Sequence, residues 1–194
     1  MINLFLIDGA SGTGKSDLVE YARASHRRCG VLIKATTRKL RDYEDREGTA
    51  LDLSFYSREE FKSLHLDYQY DYNEEHYGFS KASLDQSLKQ FENVFAIIRS
   101  IPLMIKLQAD YQAYRVITLY VKSDIKQIED RMRRQGRNQA EIGFRITRIT
   151  DTLADYERHR NFFDEEIENS SDKKTYYSRV DDLLRKYSRA KGAN

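Results

Sequence analysis

The sequence has very little cysteine and proline, and it has no tryptophan. Cys29 is the single cysteine among 194 residues, which excludes a disulfide framework and a zinc site built from several thiolates. Pro102 is the single proline, and the chain contains no low-complexity linker and no internal repeat. These absences favour one folded unit, so we expect residues 1–194 to form a single domain.

Long hydrophobic runs and a large net charge are also missing. No apolar stretch approaches the 18 residues of a membrane span, and the apolar run at the N terminus is too short for a signal peptide. Charged residues make up 33% of the chain, yet the net charge is only +2, which gives no general attraction to nucleic acid or membranes. We therefore expect a cytoplasmic protein that has neither of these partners.

One short motif carries most of the chemical information. Residues 9–16 read Gly-Ala-Ser-Gly-Thr-Gly-Lys-Ser, the pattern G-x-x-x-x-G-K-[ST], two residues after the apolar run Ile2–Ile7. Glycines at these positions let backbone N–H groups surround a phosphate, Lys15 can reach the β- and γ-phosphates, and the Ser16 hydroxyl can ligate Mg²⁺. The motif predicts a site for ATP with Mg²⁺ as cofactor, formed by Gly9, Ser11, Gly12, Thr13, Gly14, Lys15 and Ser16.

The apolar pattern predicts the fold class. Ile2–Ile7, Val94–Ile98 and Val116–Val121 are continuous rather than alternating, as in parallel strands buried on both faces, and Val31–Ala35 is a shorter fourth candidate. Segments with helical spacing separate these runs. The alternation predicts an α/β P-loop NTPase fold, a parallel sheet with helices on both faces that binds ligands at the carboxyl ends of its strands.

Two segments depart from the alternation. Residues 37–79 are rich in Tyr, Asp, Glu and Arg and contain only a short amphipathic stretch at 58–66, so we expect a substrate-binding insertion in a core of residues 1–36 and 80–185. The alternative is a poorly packed surface excursion. Residues 131–148 hold the densest group of arginines, which predicts either a helical lid or a solvated helix face. These arginines are Arg131, Arg133, Arg134, Arg137, Arg145 and Arg148.

From residue 3 to about residue 170 the chain resembles the guanylate kinases. Beyond the P-loop, the matching pieces are Ala35-Thr36-Thr37-Arg38-Lys39-Leu40-Arg41, Phe55-Tyr56-Ser57-Arg58-Glu59-Glu60-Phe61, Tyr77-Gly78, Arg131-Met132, and Phe163-Asp164 with Ile167 and Asn169. The resemblance implies that Arg38, Arg41 and Tyr77 hold the phosphate of the accepting nucleotide. Two guanidinium groups suit a phosphomonoester, because each can donate a bidentate fork. The resemblance also implies that Arg131, Arg134, Arg145 and Arg148 act with Lys15 in catalysis.

The chain departs from the family where the family reads guanine. Lys34 replaces a serine, Tyr68 or Asp67 replaces a glutamate, and Phe79 replaces a hydroxyl. Where the family ends its third strand with D-I-D, this chain has Ile97-Ile98-Arg99. Lys34 and Arg99 thus become candidate substrate-binding residues. For Arg99 the alternative is a structural arginine at a strand end.

Three functions are consistent with these residues. The first is an ATP-dependent phosphotransferase that acts on a nucleoside monophosphate or a similar small phosphomonoester, with no specificity for GMP. The second is a non-catalytic module that binds nucleotide or protein, which the loss of the acidic strand end favours and the intact Lys15-Ser16 pair disfavours. The third is a sugar-phosphate kinase resembling the ribose-bisphosphate kinases.

Overall fold

The fold combines two sheets with helices around them. The computed structural model describes residues 1–40, 51–134 and 136–189. The strands in these residues are β1 (Asn3–Asp8), β2 (Cys29–Val31), β3 (Lys34–Thr36), β4 (Leu53–Phe55), β5 (Tyr68–Tyr72), β6 (Glu75–Phe79), β7 (Asn93–Ile97), β8 (Arg115–Lys122) and β9 (Glu165–Glu168). The α-helices are α1 (Lys15–Ser25), α2 (Arg58–Ser63), α3 (Lys81–Gln90), α4 (Ile101–Asp110), α5 (Ile125–Arg134), α6 (Gln139–His159) and α7 (Lys173–Arg189), with a 3₁₀ turn at Arg160–Phe162.

The larger sheet has five parallel strands in the order β2-β7-β1-β8-β9. The three long apolar runs form its centre, as predicted, because strands covered on both faces leave no side chain in water. Side chains alternate across β1, so Phe5 and Ile7 pack towards α1 and α7, while Leu4 and Leu6 pack towards α3 and α4. The predicted α/β P-loop NTPase architecture is confirmed.

The short run Val31–Ala35 is not one strand, and this prediction is wrong. Residues up to Val31 pair with β7 in the parallel sheet, whereas Lys34–Thr36 pairs with β4 and β6 in the second sheet. Between the two strands Leu32 is buried and Ile33 is exposed, so the chain turns within the apolar run. An apolar run of five residues does not reveal such a change of direction.

The edge strand β9 is absent from the sequence prediction. Its residues Glu165–Glu168 read EEIE, and only Ile167 is buried. The strand nevertheless pairs in parallel with the carboxyl half of β8. A strand at the sheet edge with one buried side chain lacks the continuous apolar pattern on which the prediction relied.

The predicted insertion supplies β4, β5 and β6 to a mixed sheet of four strands in the order β4-β3-β6-β5, and β3 comes from the residues just before it. We call this sheet the insertion sheet. Its hairpin of β5 and β6 turns through Asn73 and Glu74, both with positive φ, as expected for a tight two-residue hairpin. The amphipathic stretch at 58–66 forms α2, which begins with a capping box between Ser57 and Glu60. Tyr68, which stands on β5, packs with the helices of the larger sheet, so β5 and β6 form a layer over the core.

Helices α5 and α6 form a hairpin beside the P-loop. Asn138 caps α6 by accepting a hydrogen bond from the Glu141 N–H at 2.9 Å. Ile142 and Ile149 of α6 pack with Met132 of α5 and with Ala10 of the P-loop. This contact anchors the α5–α6 hairpin against the P-loop. Among the described helices, none is long and apolar enough to cross a membrane.

Candidate active site

The P-loop lies between the carboxyl end of β1 and the first turn of α1. Gly12 and Gly14 have φ values of 82° and 97°, a region that L side chains rarely adopt. A Cβ on Gly14 would lie 2.2 Å from Asn169 Nδ2, so the glycine also permits a close approach to the neighbouring loop. The backbone thus curls at the positive end of the α1 dipole, where it can surround an anion.

Lys15 folds back over the loop that precedes it. Its Nζ donates hydrogen bonds to the carbonyl oxygens of Gly9 at 2.6 Å and Ala10 at 2.7 Å. The ammonium group is half-buried at the wall of the adjoining cavity. These contacts hold its charge at the mouth of the P-loop, where a bound polyphosphate would lie.

Neighbouring elements brace the P-loop through its carbonyl oxygens. Asn169 donates to the Thr13 carbonyl, and Tyr176 donates to the Gly14 carbonyl, both at 2.9 Å. Arg131 donates to the Gly12 carbonyl at 3.2 Å and to the Asn169 carbonyl at 2.5 Å, and burial lowers the pKa of its guanidinium. These hydrogen bonds hold the curled backbone of the loop in place.

A cavity of about 1260 Å³ opens beside the P-loop and extends to the insertion sheet and α6. This volume exceeds the range of roughly 300–1,000 Å³ typical of a site for one small ligand, so two substrates can share it. The cavity brings together most of the residues predicted for the site. They are Ser11, Gly12, Gly14, Lys15, Ser16, Lys34, Arg38, Tyr77, Arg99, Arg131, Arg145 and Arg148.

Three predicted residues do not line this cavity, and a fourth is not among the described residues. Gly9 and Thr13 shape the P-loop from behind, where the Thr13 hydroxyl donates to the Ala10 carbonyl at 2.9 Å. Arg134 is exposed at the end of α5 and does not line the cavity. Arg41 lies outside the residues that the structure describes.

Lys34 is fully buried on the insertion-sheet side of the cavity. Its Nζ lies 2.7 Å from Asp52 Oδ2, and the two side chains expose 1% and 11% of their surfaces. The backbone N–H of Lys34 also donates to the Asp52 carbonyl at 2.9 Å, which ties β3 to the segment before β4. Both residues line the cavity, so a buried ion pair lies at this end of the site.

Aromatic side chains surround this ion pair. Tyr70 and Tyr77 lie opposite each other on β5 and β6, with ring centroids 5.2 Å apart. The pKa of the deeply buried Tyr70 is raised well above its usual value, mainly by burial. The guanidinium of Arg38 lies 5.3 Å from the centroid of the Phe55 ring and faces the same cavity. The wall therefore offers flat apolar faces and fixed cations together.

Arg99 follows β7 at the edge where the parallel strands end. Its Nε lies 3.0 Å from Asp8 Oδ1, so the two side chains form an ion pair. The Nε–H is not directed at that oxygen and makes no hydrogen bond to it. Its Nη2 donates to the Tyr72 hydroxyl at 2.9 Å, and its guanidinium stacks on the Tyr72 ring. Burial alone would lower the pKa of Arg99, but the Asp8 charge outweighs it and the pKa is raised.

The α5–α6 hairpin presents a charged face to the cavity. Glu141 accepts from Arg137 at 2.8 Å and from Arg145 at 3.0 Å. Burial would raise the pKa of Glu141, but these two arginines outweigh it and the pKa is lowered. Arg148 lies over the Phe144 ring, 4.5 Å from its centroid. Arg145 and Arg148 thus flank the cavity on one side of the helix, as their spacing predicts.

Several residues of this site were missed by the sequence prediction. Asp52, Glu141 and Phe144 line the cavity, as do Tyr70, Tyr72 and Arg137. A signal exists only for Arg137, Glu141 and Arg145, whose spacing of four residues is typical of helical ion pairs. The partnership of Lys34 with Asp52 has no such signal, because the two residues stand 18 positions apart, one on β3 and the other just before β4.

Comparison with known proteins agrees with this geometry. The family model described as "Guanylate kinase" matches residues 1–187. The guanylate kinase of Colwellia psychrerythraea is 32% identical over 185 residues, which cover 86% of this chain and 77% of that protein. The guanylate kinase of Neisseria gonorrhoeae is 42% identical over 62 residues, 32% of this chain and 29% of that protein.

Solved structures show a similar fold. The guanylate kinase of Anaplasma phagocytophilum has a TM-score of 0.60 at 19% identity, covering 96% of this chain and 85% of that one. The shikimate kinase of Acinetobacter baumannii, solved in complex with shikimate, has a TM-score of 0.53 at 14% identity, covering 100% and 96%. The sequence match over nearly the whole chain, together with the braced P-loop, means that this protein belongs to the guanylate kinase family.

Proposed function

We propose that the protein transfers the γ-phosphate of ATP to a nucleoside monophosphate or a similar phosphomonoester, without specificity for GMP. The observation that carries this proposal is the shared cavity. Lys15 of the P-loop lines it at one end, and Arg38 and Tyr77 line it on the side of the insertion sheet. A donor phosphate and an acceptor phosphate bound at these two places would meet inside it. Membership of the guanylate kinase family supports the reaction class.

The donor would bind with its phosphates in the P-loop. Backbone N–H groups, the α1 dipole and Lys15 together neutralise a polyphosphate. Ser16 lines the cavity at the start of α1, and its hydroxyl suits Mg²⁺, a hard cation that prefers oxygen ligands and is commonly held by phosphates and water. The described residues contain no cluster of three or more His, Cys, Asp or Glu for a metal, so Ser16 would hold Mg²⁺ together with the phosphates. Bound Mg²⁺ would neutralise charge on the transferred group.

The acceptor phosphate would lie between Arg38 and Tyr77, with Arg41 as a third partner by family resemblance. The phosphate oxygen of a monoester is already a competent nucleophile, so the reaction needs no general base. Catalysis then consists of positioning and charge neutralisation. On this proposal Arg145 and Arg148 move towards the transferred phosphoryl group when the α5–α6 hairpin closes, and Arg131 holds the Gly12 carbonyl throughout.

The lack of GMP specificity rests on the positions where the family reads guanine. Tyr68 and Phe79 stack on each other in the apolar core and do not line the cavity. Asp67 accepts a hydrogen bond from the backbone N–H of Lys81 at 2.6 Å, at the start of α3. Lys34 is engaged with Asp52. A site discriminates strongly against an analogue only when its polar groups match the substrate, and these residues do not reproduce the guanine-reading set.

A non-catalytic nucleotide-binding module is the second candidate. It is favoured by the strand end at β7, where Arg99 stands in place of an acid and engages Asp8. The two acids of the family correspond here to Ile97 and Arg99, neither of which can ligate a metal. This candidate predicts that ATP binds and that ADP does not accumulate with any acceptor.

A coupled assay for ADP decides among these functions. The protein is incubated with ATP and Mg²⁺ and with GMP, AMP, CMP, UMP, dTMP or ribose phosphates in turn. We expect at least one acceptor to give a higher kcat/KM than GMP. GMP as the best substrate by a wide margin would refute the specificity proposal, and ribose phosphates as the best substrates would establish the sugar-phosphate kinase. ATP binding without ADP formation in all reactions would establish the binding module.

A further inference from the structure

A buried ion pair joins the entrance of the P-loop to the insertion sheet. Asp8 is the last residue of β1, and Arg99 lies two residues beyond β7, the neighbouring parallel strand. Arg99 Nε is 3.0 Å from Asp8 Oδ1, and the two side chains expose only 11% and 13% of their surfaces. Two charges so deeply buried are costly unless each keeps its partner.

The Asp8 end of this pair reaches the P-loop lysine. The same Oδ1 atom accepts a hydrogen bond from the Gly9 N–H at 2.7 Å. The carbonyl of Gly9 in turn accepts from Lys15 Nζ at 2.6 Å. The orientation of the first P-loop peptide therefore depends on where the Asp8 carboxylate is held.

The Arg99 end reaches the insertion sheet. Nη2 donates to the Tyr72 hydroxyl at 2.9 Å, and the guanidinium carbon lies 4.4 Å from the centroid of the Tyr72 ring. Tyr72 is the last residue of β5, and both Tyr72 and Arg99 line the cavity. One side chain thus contacts both sheets at the place where the two halves of the site meet.

The charge balance at this place depends on Arg99. Without its guanidinium, the Asp8 carboxylate would remain buried and unpaired directly before the loop that receives the ATP phosphates. Repulsion between like charges is strong where water is excluded. The carboxylate would also lose the contact that sets its direction, and with it the orientation of Gly9.

We propose that Arg99 is a positioning residue, which neutralises Asp8 and links the P-loop to Tyr72 so that ATP binding depends on the docked insertion sheet. The inference rests on the proposed function to the extent that it requires ATP phosphates in the P-loop. It assigns Arg99 a role through Asp8 and Tyr72 rather than through contact with the acceptor.

Isothermal titration with ATP and Mg²⁺ tests this proposal on the full chain without knowledge of the acceptor. The variants are Arg99→Met, Asp8→Asn combined with Arg99→Met, and Tyr72→Phe. Arg115 and Tyr187 supply matched controls, because Arg115 also lies over a tyrosine ring, 5.8 Å from its centroid, but neither residue lines the cavity. Thermal unfolding of every variant separates loss of binding from loss of fold.

We expect Arg99→Met to weaken ATP binding about tenfold or more, as an unpaired carboxylate beside the phosphates implies. The double variant should recover most of this loss, and Tyr72→Phe should weaken binding about threefold, whereas Arg115→Met and Tyr187→Phe should bind as the wild type does. Should Arg99→Met fail to fold, the contrast between Tyr72→Phe and Tyr187→Phe decides.

Two results would overturn the proposal. One is ATP affinity within twofold of wild type for Arg99→Met and Tyr72→Phe, even if both unfold at lower temperature. The other is a loss in Arg99→Met that Asp8→Asn does not restore. A wild-type protein that fails to bind ATP would instead refute the proposed function, and the inference with it.

Discussion

The two ends of the cavity are built in different ways. The P-loop end comes from one short segment, residues 9–16, whose groups are positioned by backbone geometry and by hydrogen bonds to carbonyl oxygens. The opposite end is assembled from side chains of β3, β5, β6 and the segment before β4, and a buried ion pair between Lys34 and Asp52 lies among them. The groups of the first end come from one contiguous motif, whereas the second end depends on individual side chains that are remote in sequence.

The largest effect should come from the P-loop end. Lys15→Ala removes the cation held over the loop, and we expect kcat to fall about 10²–10³-fold, because charge developing in the transition state loses its partner. The assay is ADP formation with the best acceptor. Lys62→Ala, on the exposed face of α2, is the matched control and should keep wild-type turnover. Wild-type turnover and ATP affinity in Lys15→Ala would contradict the assignment of this end.

The buried ion pair tests the opposite end. Lys34→Met leaves the Asp52 carboxylate buried without its partner, and we expect the free energy of unfolding to fall by about 3–5 kcal/mol. Lys106→Met breaks the exposed pair with Asp110 and should cost far less. Urea unfolding of both variants gives the comparison. Equal losses in the two variants would mean that the buried pair is not what organises this end.

The α6 arginines test whether the hairpin serves the two ends jointly. We expect Arg145→Ala to lower kcat about 10–100-fold with a smaller change in ATP affinity, because the contact is made only after closure. Arg148→Ala should have a weaker effect. Arg158→Ala, which lies near the end of the same helix and pairs with Asp155, is the control. If Arg145→Ala and Arg148→Ala both keep wild-type turnover, the hairpin is a solvated face and the binding module gains support.

The smallest effect concerns the base of α6, away from both ends. Burial would raise the pKa of Glu166, but hydrogen bonds from Lys122, Tyr156 and Arg160 outweigh it and lower the pKa to about 2. Because the folded-state pKa is depressed, the stabilisation is complete above about pH 4.5 and is lost as the pH falls towards 2.

Replacing the Glu166 carboxylate should reduce the fall in the free energy of unfolding at low pH. For Glu166→Gln we expect a loss of about 1–2 kcal/mol at neutral pH, allowing for partial solvent screening, and little further loss between pH 4.5 and 2. Urea unfolding across this pH range measures both. Glu129→Gln, in a surface pair with Arg133, serves as control. If the free energy of unfolding of Glu166→Gln falls between pH 4.5 and 2 as much as that of the wild type, other groups cause the loss of stability in acid.

The P-loop and the central strands could be predicted because their information is local. The motif at residues 9–16 contains its own glycines, lysine and hydroxyl, and three strands buried on both faces appear as continuous apolar runs. The edge strand β9 and the division of Val31–Ala35 between two sheets were not predictable in this way. Pairing partners decide both, and hydropathy does not record them.

The end of the cavity opposite the P-loop was predicted only in outline. Arg38, Tyr77, Lys34 and Arg99 all reach the cavity, and their sequence context is enough to nominate them. What each side chain does there depends on partners that are remote in sequence. For Arg99 those partners are Asp8, 91 positions earlier, and Tyr72, 27 positions earlier, and no spacing rule connects them.

The sequence by itself determined the phosphate-binding motif, the α/β class and the arginines available to the site, because each follows from adjacent residues or from a helical or strand period. The tertiary structure alone decided which charges meet. Lys34 meets Asp52 because the parallel strands β3 and β4 begin side by side, and Asp8 meets Arg99 because the parallel strands β1 and β7 end side by side. In a buried environment an unpaired charge is too costly to persist. The fold therefore fixes these two partnerships, and with them the charges that line the cavity away from the P-loop.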